Sequence, residues 1–195
     1  MEKNTVKQLE EKYGTSSIPY SKLLLTKEWD EARKKVIGRD GCVCKNCGRG
    51  STESSNGNHF WLEWVVVKLA LSDADARQME PEWRKGDAPI EVEAEGWEAI
   101  DAHKPYHLEV HHKYYVFKNY PWEYPDDALV TLCNWCHQDV HDTTVIPVYS
   151  HTGEALGYTP CHRCNGSGSF PEYSHVQSGV CFRCGGARYE ELIQK

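Results

Sequence analysis

The chain has 195 residues and a formal net charge of −7, a length that holds one ordinary domain or two small ones. Its best apolar run, Val65 to Leu71, is broken by Lys68, which excludes a membrane-spanning helix. Net negative charge argues against tight phosphate binding, yet Lys22 to Arg49 carries eight Lys or Arg against four acids, while Glu63 to Asp101 carries eleven acids against four basic residues.

Residues 1–21 read as a polar N-terminal arm with a short helix through Val6 and Leu9, ending at Gly14-Thr15-Ser16-Ser17 and Pro19. Thr26 is placed to cap a helix that presents Trp29, Ala32, Arg33, Val36 and Ile37 as one stripe and closes at Gly38. Its outer face is basic, and it delivers the chain to Cys44-Lys45-Asn46-Cys47-Gly48. Residues from about 50 to 103 read as an acidic, β-rich insertion. Phe60 to Leu71 forms one strand, Ser72 caps a short helix, and Pro89 to Glu95 forms a weaker strand. Leu108 to His112 is expected as a strand, Tyr114 to Asp126 as an aromatic-anchored loop, and Leu129 to Leu132 as a second short strand. A helix from near Cys136 follows, carrying His137 and His141.

Eight of the nine cysteines form four Cys-x-x-Cys pairs: Cys44/Cys47, Cys133/Cys136, Cys161/Cys164 and Cys181/Cys184, with Cys42 as a spare thiol. The start Met1-Glu2-Lys3-Asn4-Thr5-Val6 has no apolar signal region, so the pairs read as two structural Zn²⁺ sites in a reducing cytoplasm rather than disulfides. Cys44, Cys47, Cys133 and Cys136 supply the first, a closed Cys₄ site; buried thiols are the bland alternative. Cys161, Cys164, Cys181 and Cys184 supply the second, in a C-terminal module over residues 144–195. His137 and His141 share a helix face at i, i+4 and can grip one ion, with His111 as the natural third ligand. On a regular strand His112 points away from that ion and, neutral near pH 7, suits a general base. A further structural zinc site, or ordinary surface histidines, is the competing reading.

The stretches Cys44-Lys45-Asn46-Cys47-Gly48, Leu108-Glu109-Val110-His111-His112-Lys113 and Leu129-Val130-Thr131-Leu132-Cys133-Asn134-Trp135-Cys136-His137, with His141, resemble the HNH (ββα-metal) endonucleases. Pro121 to Asp126 resembles a Pro-Trp-Glu-Tyr-Pro-Asp variant of that family found in bacterial and phage proteins. The resemblance covers roughly 22–49 and 104–143. It implies an α+β fold in which a small ββα-metal core over 22–143 is stapled by a Cys₄ zinc site and interrupted by the insertion. His112 matches the family's general base, and His111 and His137 match its metal ligands, with His141 a further ligand to one catalytic Mg²⁺ or transition ion. The implied reaction is hydrolysis of DNA phosphodiesters to 5′-phosphate and 3′-hydroxyl ends. One departure is that the family's middle asparagine, nine residues before His137, is Ala128 here, where Asp127 or a backbone group could substitute.

The C-terminal Cys161-His162-Arg163-Cys164-Asn165-Gly166-Ser167-Gly168 and Cys181-Phe182-Arg183-Cys184-Gly185-Gly186 resemble the cysteine-rich zinc domain of J-domain chaperones. The second copy has Arg188 at the last glycine position. Arg33, Lys34, Lys45, Lys113, Arg163 and Arg183 are the expected nucleic-acid contacts. DNA is the expected partner, a protein could dock on the acidic insertion, and phage defence or a mobile element is the expected setting. The opposing reading is a non-catalytic zinc adaptor that binds nucleic acid or a protein.

Overall fold

The computed structural model describes residues 3–14, 18–173 and 175–193; Thr15 to Ser17 of the expected N-terminal turn lie outside them. The architecture is mixed α+β, with three small sheets among the described residues. It divides into two compact units, Met1–Ser51 with Tyr106–Lys195, and Thr52–Pro105.

In the first unit, Thr5 and Gln8 form a reciprocal capping box that starts α1 (Val6–Tyr13). The arm is docked rather than free. Leu9 is buried, the Val6 N–H donates to the Glu28 carboxylate at 3.1 Å, and the Tyr120 hydroxyl donates to Glu10 at 2.6 Å. After α2 (Tyr20–Leu23), Thr26 caps α3 (Lys27–Arg39), its hydroxyl accepting the Trp29 N–H. Gly38 sits inside this helix, which runs one residue further to Arg39 and takes Asp40 as its C-cap. Asp40 explains that extension: its carboxylate accepts from Arg39 Nε at 2.9 Å and from the Thr131 N–H at 2.8 Å, tying the helix end to a strand.

Strand β4 (Leu108–His112) pairs antiparallel with β6 (Leu129–Cys133). Between them, β5 (Tyr115–Val116) pairs in parallel with β7 (Val148–Tyr149), a short element inside the expected aromatic loop. Helix α5 (Asn134–Thr143) starts two residues earlier than the sequence suggested, because Cys133 itself caps it, its sulfur accepting the Cys136 N–H at 3.4 Å. One core lies under α3, where Trp29 and Val36 meet Val110 and Leu129, flanked by Trp122 and Tyr124. Another joins Tyr115, Ile146, Val148 and Tyr189, so the C-terminal segment shares its packing with the strands before it.

The second unit is a three-stranded antiparallel sheet of β1 (Glu53–Ser55), β2 (Asn58–Ala70) and β3 (Glu91–Ala102), with α4 (Asp73–Met79) capped by Ser72. The turn at Asn56-Gly57, with φ of 51° and 81°, closes the β1–β2 hairpin. Both long strands exceed the expected spans. Cross-strand pairs such as Trp64 with Trp97, whose rings are 5.3 Å apart edge to face, extend the ladder while leaving both rings largely exposed.

Trp29 is 5% exposed and both fills the α3 core and stacks on His112 with ring centroids 5.4 Å apart. Trp29→Ala is therefore expected to cost about 3–5 kcal/mol of stability. Chemical denaturation checks this, and a loss below about 1 kcal/mol would contradict the placement of the core.

Candidate functional site

Three clusters of metal-ligating side chains stand out: Cys44, Cys47, Cys133 and Cys136; Cys161, Cys164, Cys181 and Cys184; and His111, His137 and His141. In each, the ligand atoms lie within 4.8 Å of one another. A tetrahedron of sulfurs about 2.3 Å from a central zinc has edges of about 3.8 Å. The Cys47–Cys133 and Cys164–Cys184 sulfur pairs are both 3.8 Å apart. The two Cys₄ clusters are thus compatible with structural zinc. Burial pushes the Cys133 thiol up to about 12, whereas at Cys44 the backbone N–H groups outweigh burial and bring the thiol to about 7. Binding a divalent cation would release the protons that these thiols hold.

The histidine cluster arises from two periodicities. On β4 the side chains alternate, so Glu109 and His111 share one face and Val110 and His112 the other. On α5, His137 and His141 stand one turn apart. The rings of His111, His137 and His141 are 4.9–5.1 Å apart centre to centre and stand edge to face. His137 Nδ1 lies 2.6 Å from a Glu109 carboxylate oxygen, an arrangement that fixes the ring and leaves Nε2 with its lone pair. Nδ1 of His111 and both nitrogens of His141 are buried with no hydrogen-bond partner. Burial above all lowers His111 to about 3 and His141 to about 2, so both are neutral at pH 7. Neutral buried imidazoles with idle nitrogens are costly unless something accepts their lone pairs, and a cation at their centre would do so. This donor set fits a divalent ion.

His112 is on the other face, 2% exposed, beside Trp29, Tyr115 and Tyr124. Its Nε2 is 2.9 Å from the Pro121 carbonyl. A carbonyl only accepts, so Nε2 carries the proton and Nδ1 keeps the lone pair. Burial, and then the Arg188 charge, lowers His112 to about 3, against the opposing pull of Pro121. Among the described residues strand β4 pairs with β6 alone, and a cleft of about 270 Å³ is lined by Glu109, Val110 and His112 of this strand. Residues from both faces reach it: Glu109, His112 and His137, with Arg33 and Arg188.

The other sequence-chosen cations are dispersed. Arg33 lines this cleft and donates to the Leu108 carbonyl at 2.9 Å, whereas Lys34 pairs with Asp30 on the exposed side of α3. Lys45 and Lys113 line a separate hollow of about 360 Å³ beside His111. Arg163 lies 6.0 Å from the Phe170 ring centre, and Arg183 pairs with Glu190 at 2.7 Å. Ala128 is buried, and its carbonyl accepts the Lys113 N–H at 2.9 Å, so a backbone group ties the strand after His112 to this turn. Sequence reasoning passed over Glu109, although its place two residues before His111, on the same strand face, was readable. No family model matches the chain, and neither the curated proteins nor the solved structures contain a match to it.

Glu109→Gln should weaken binding of Ni²⁺ or Mn²⁺ at the histidine cluster roughly 10–100-fold while both Cys₄ sites keep their zinc. Calorimetric titration with metal analysis reads both, and unchanged affinity would remove Glu109 from this role.

Proposed function

We propose that the protein is a metal-dependent endonuclease of the HNH (ββα-metal) type, hydrolysing phosphodiester bonds of DNA. The observation that carries the reading is that one cleft is lined both by His112, a neutral imidazole oriented by a backbone carbonyl, and by His137, a member of the buried His111–His137–His141 donor set. The resemblance of the Leu108–Lys113 and Leu129–His141 stretches to that family points the same way.

In this reading His112 draws a proton from a water molecule onto Nδ1, while Pro121 keeps the ring aligned through Nε2. The water attacks phosphorus in line with the departing 3′-oxygen, giving 5′-phosphate and 3′-hydroxyl ends. His111, His137 and His141 would hold the divalent ion, which supplies charge to the phosphate oxygens and the leaving group when bound. The anionic phosphate entering the cleft raises the proton affinity of His112 from its low resting value, since a nearby negative charge favours imidazolium. The Cys₄ clusters, as zinc sites, keep strand and helix in register.

A non-catalytic adaptor is the second reading, favoured by Ala128 in place of the family's asparagine and by the exposed Trp64 and Trp97 of the second unit. Supercoiled plasmid incubated with Mg²⁺, Mn²⁺ or Ni²⁺ separates the two. Nicking by the wild type, reduced about 10²–10⁴-fold in a folded His112→Ala variant, is the expected result. Binding without cutting under every metal would favour the adaptor, and equal cutting by the variant would remove His112 as the base.

A further inference from the structure

Arg188 stands where the repeated knuckle pattern calls for glycine. The two C-terminal knuckles mirror each other in the backbone. The Cys161 N–H donates to the Arg188 carbonyl at 2.7 Å, and the Cys181 N–H donates to the Gly168 carbonyl at 2.9 Å. Gly168 has φ of 78° and Arg188 has φ of 73°. This left-handed turn lets the Gly168 N–H reach the Cys164 sulfur at 3.4 Å, and it strains a residue that carries a β-carbon. The fold of the knuckle gives no reason to prefer arginine there.

The side chain supplies the reason. It is 9% exposed, its guanidinium carbon lies 4.3 Å from the Tyr20 ring centre and 4.9 Å from that of Tyr115, and it lines the cleft with Glu109, His112 and His137. Nη1 is buried without a hydrogen-bond partner. Among the described residues no carboxylate pairs with Arg188, and Glu109, the acid of this cleft, is engaged by His137. A buried cation without an anion is expensive, and the two tyrosine faces offset only part of that cost. Gly168 makes room for the side chain: a β-carbon there would stand 3.1 Å from Arg188 Cγ and 3.3 Å from Nε. The cleft therefore contains a fixed, unpaired guanidinium, a planar fork that matches phosphate oxygens.

We propose that Arg188, delivered by the C-terminal Cys₄ module, binds a phosphoryl group in the His112 cleft. Identifying that group as the phosphodiester to be cut rests on the nuclease reading. The C-terminal module is then a part of the site, contributing a side chain that the segment up to Thr143 lacks.

The test uses the full chain with zinc content and melting verified. Inorganic phosphate is titrated by ³¹P line broadening and a short fluorescein-labelled DNA duplex by anisotropy, for wild type, Arg188→Met and Arg188→Lys. Both probes should bind the wild type, weaken about tenfold to a hundredfold in Arg188→Met, and recover in part in Arg188→Lys; in cleavage, kcat should fall more than KM rises. If the Met variant does not fold, Arg188→Gly replaces it, since glycine suits this φ and restores the knuckle pattern. A folded variant that binds both probes and cuts like the wild type overturns the proposal and leaves the nuclease reading standing. Arg188-dependent phosphate binding by a protein that cuts nothing upholds the phosphate site and sinks the nuclease reading. Phosphate binding without duplex binding upholds the site with a free phosphate as its ligand, and a wild type that binds neither probe overturns the proposal.

Discussion

Cys133 is the residue through which sheet, helix and the first cysteine cluster are coupled. It ends β6, its sulfur caps α5, and it belongs to the first cysteine cluster. His137 and His141 follow at four and eight residues, so whatever fixes Cys133 fixes the direction in which both imidazoles project. Such a constraint is needed because the β4–β6 pair and the two-residue β5–β7 pair are too small to persist in water unaided. Thiolates drawn around a common cation would supply the closure that these short strands cannot.

The C-terminal knuckles extend the same logic. A β-carbon at Gly166 would lie 3.7 Å from Nδ1 of His141, the Asn165 amide donates to Asp142 on α5 at 2.9 Å, and the Tyr189 hydroxyl donates to the Ile146 carbonyl at 2.7 Å. The first two set the second cysteine cluster against the helix that carries two of the three histidines, and the third ties it to the segment that follows that helix. The module also lines the cleft, through Ser167, Gly168, Gly186 and Arg188.

What could be read in advance follows physical range. Local signals were legible: Thr26 as a cap, the i, i+4 pair of histidines, and the alternation that sends His111 and His112 to opposite faces. The Asn56-Gly57 turn was equally local, yet the short β1 beside it was overlooked. Features set by distant partners were not legible. Asp40 carries α3 past Gly38 because it meets the Thr131 N–H, and the Cys133 cap moves the start of α5. The Pro121 carbonyl on His112 and the Tyr20–Arg188–Tyr115 stack join segments far apart in the chain, and no periodicity reports them. Arg188 was visible as a broken glycine pattern, but its destination was not.

The central claim is that the first cysteine cluster holds the histidine cluster in working order. Replacing Cys133 with serine in the full chain, then counting zinc by native mass spectrometry and titrating Ni²⁺, tests it directly. The account predicts loss of one zinc together with loss of Ni²⁺ binding at the histidines, the C-terminal zinc being retained. A variant that loses the zinc yet binds Ni²⁺ as the wild type does would contradict it.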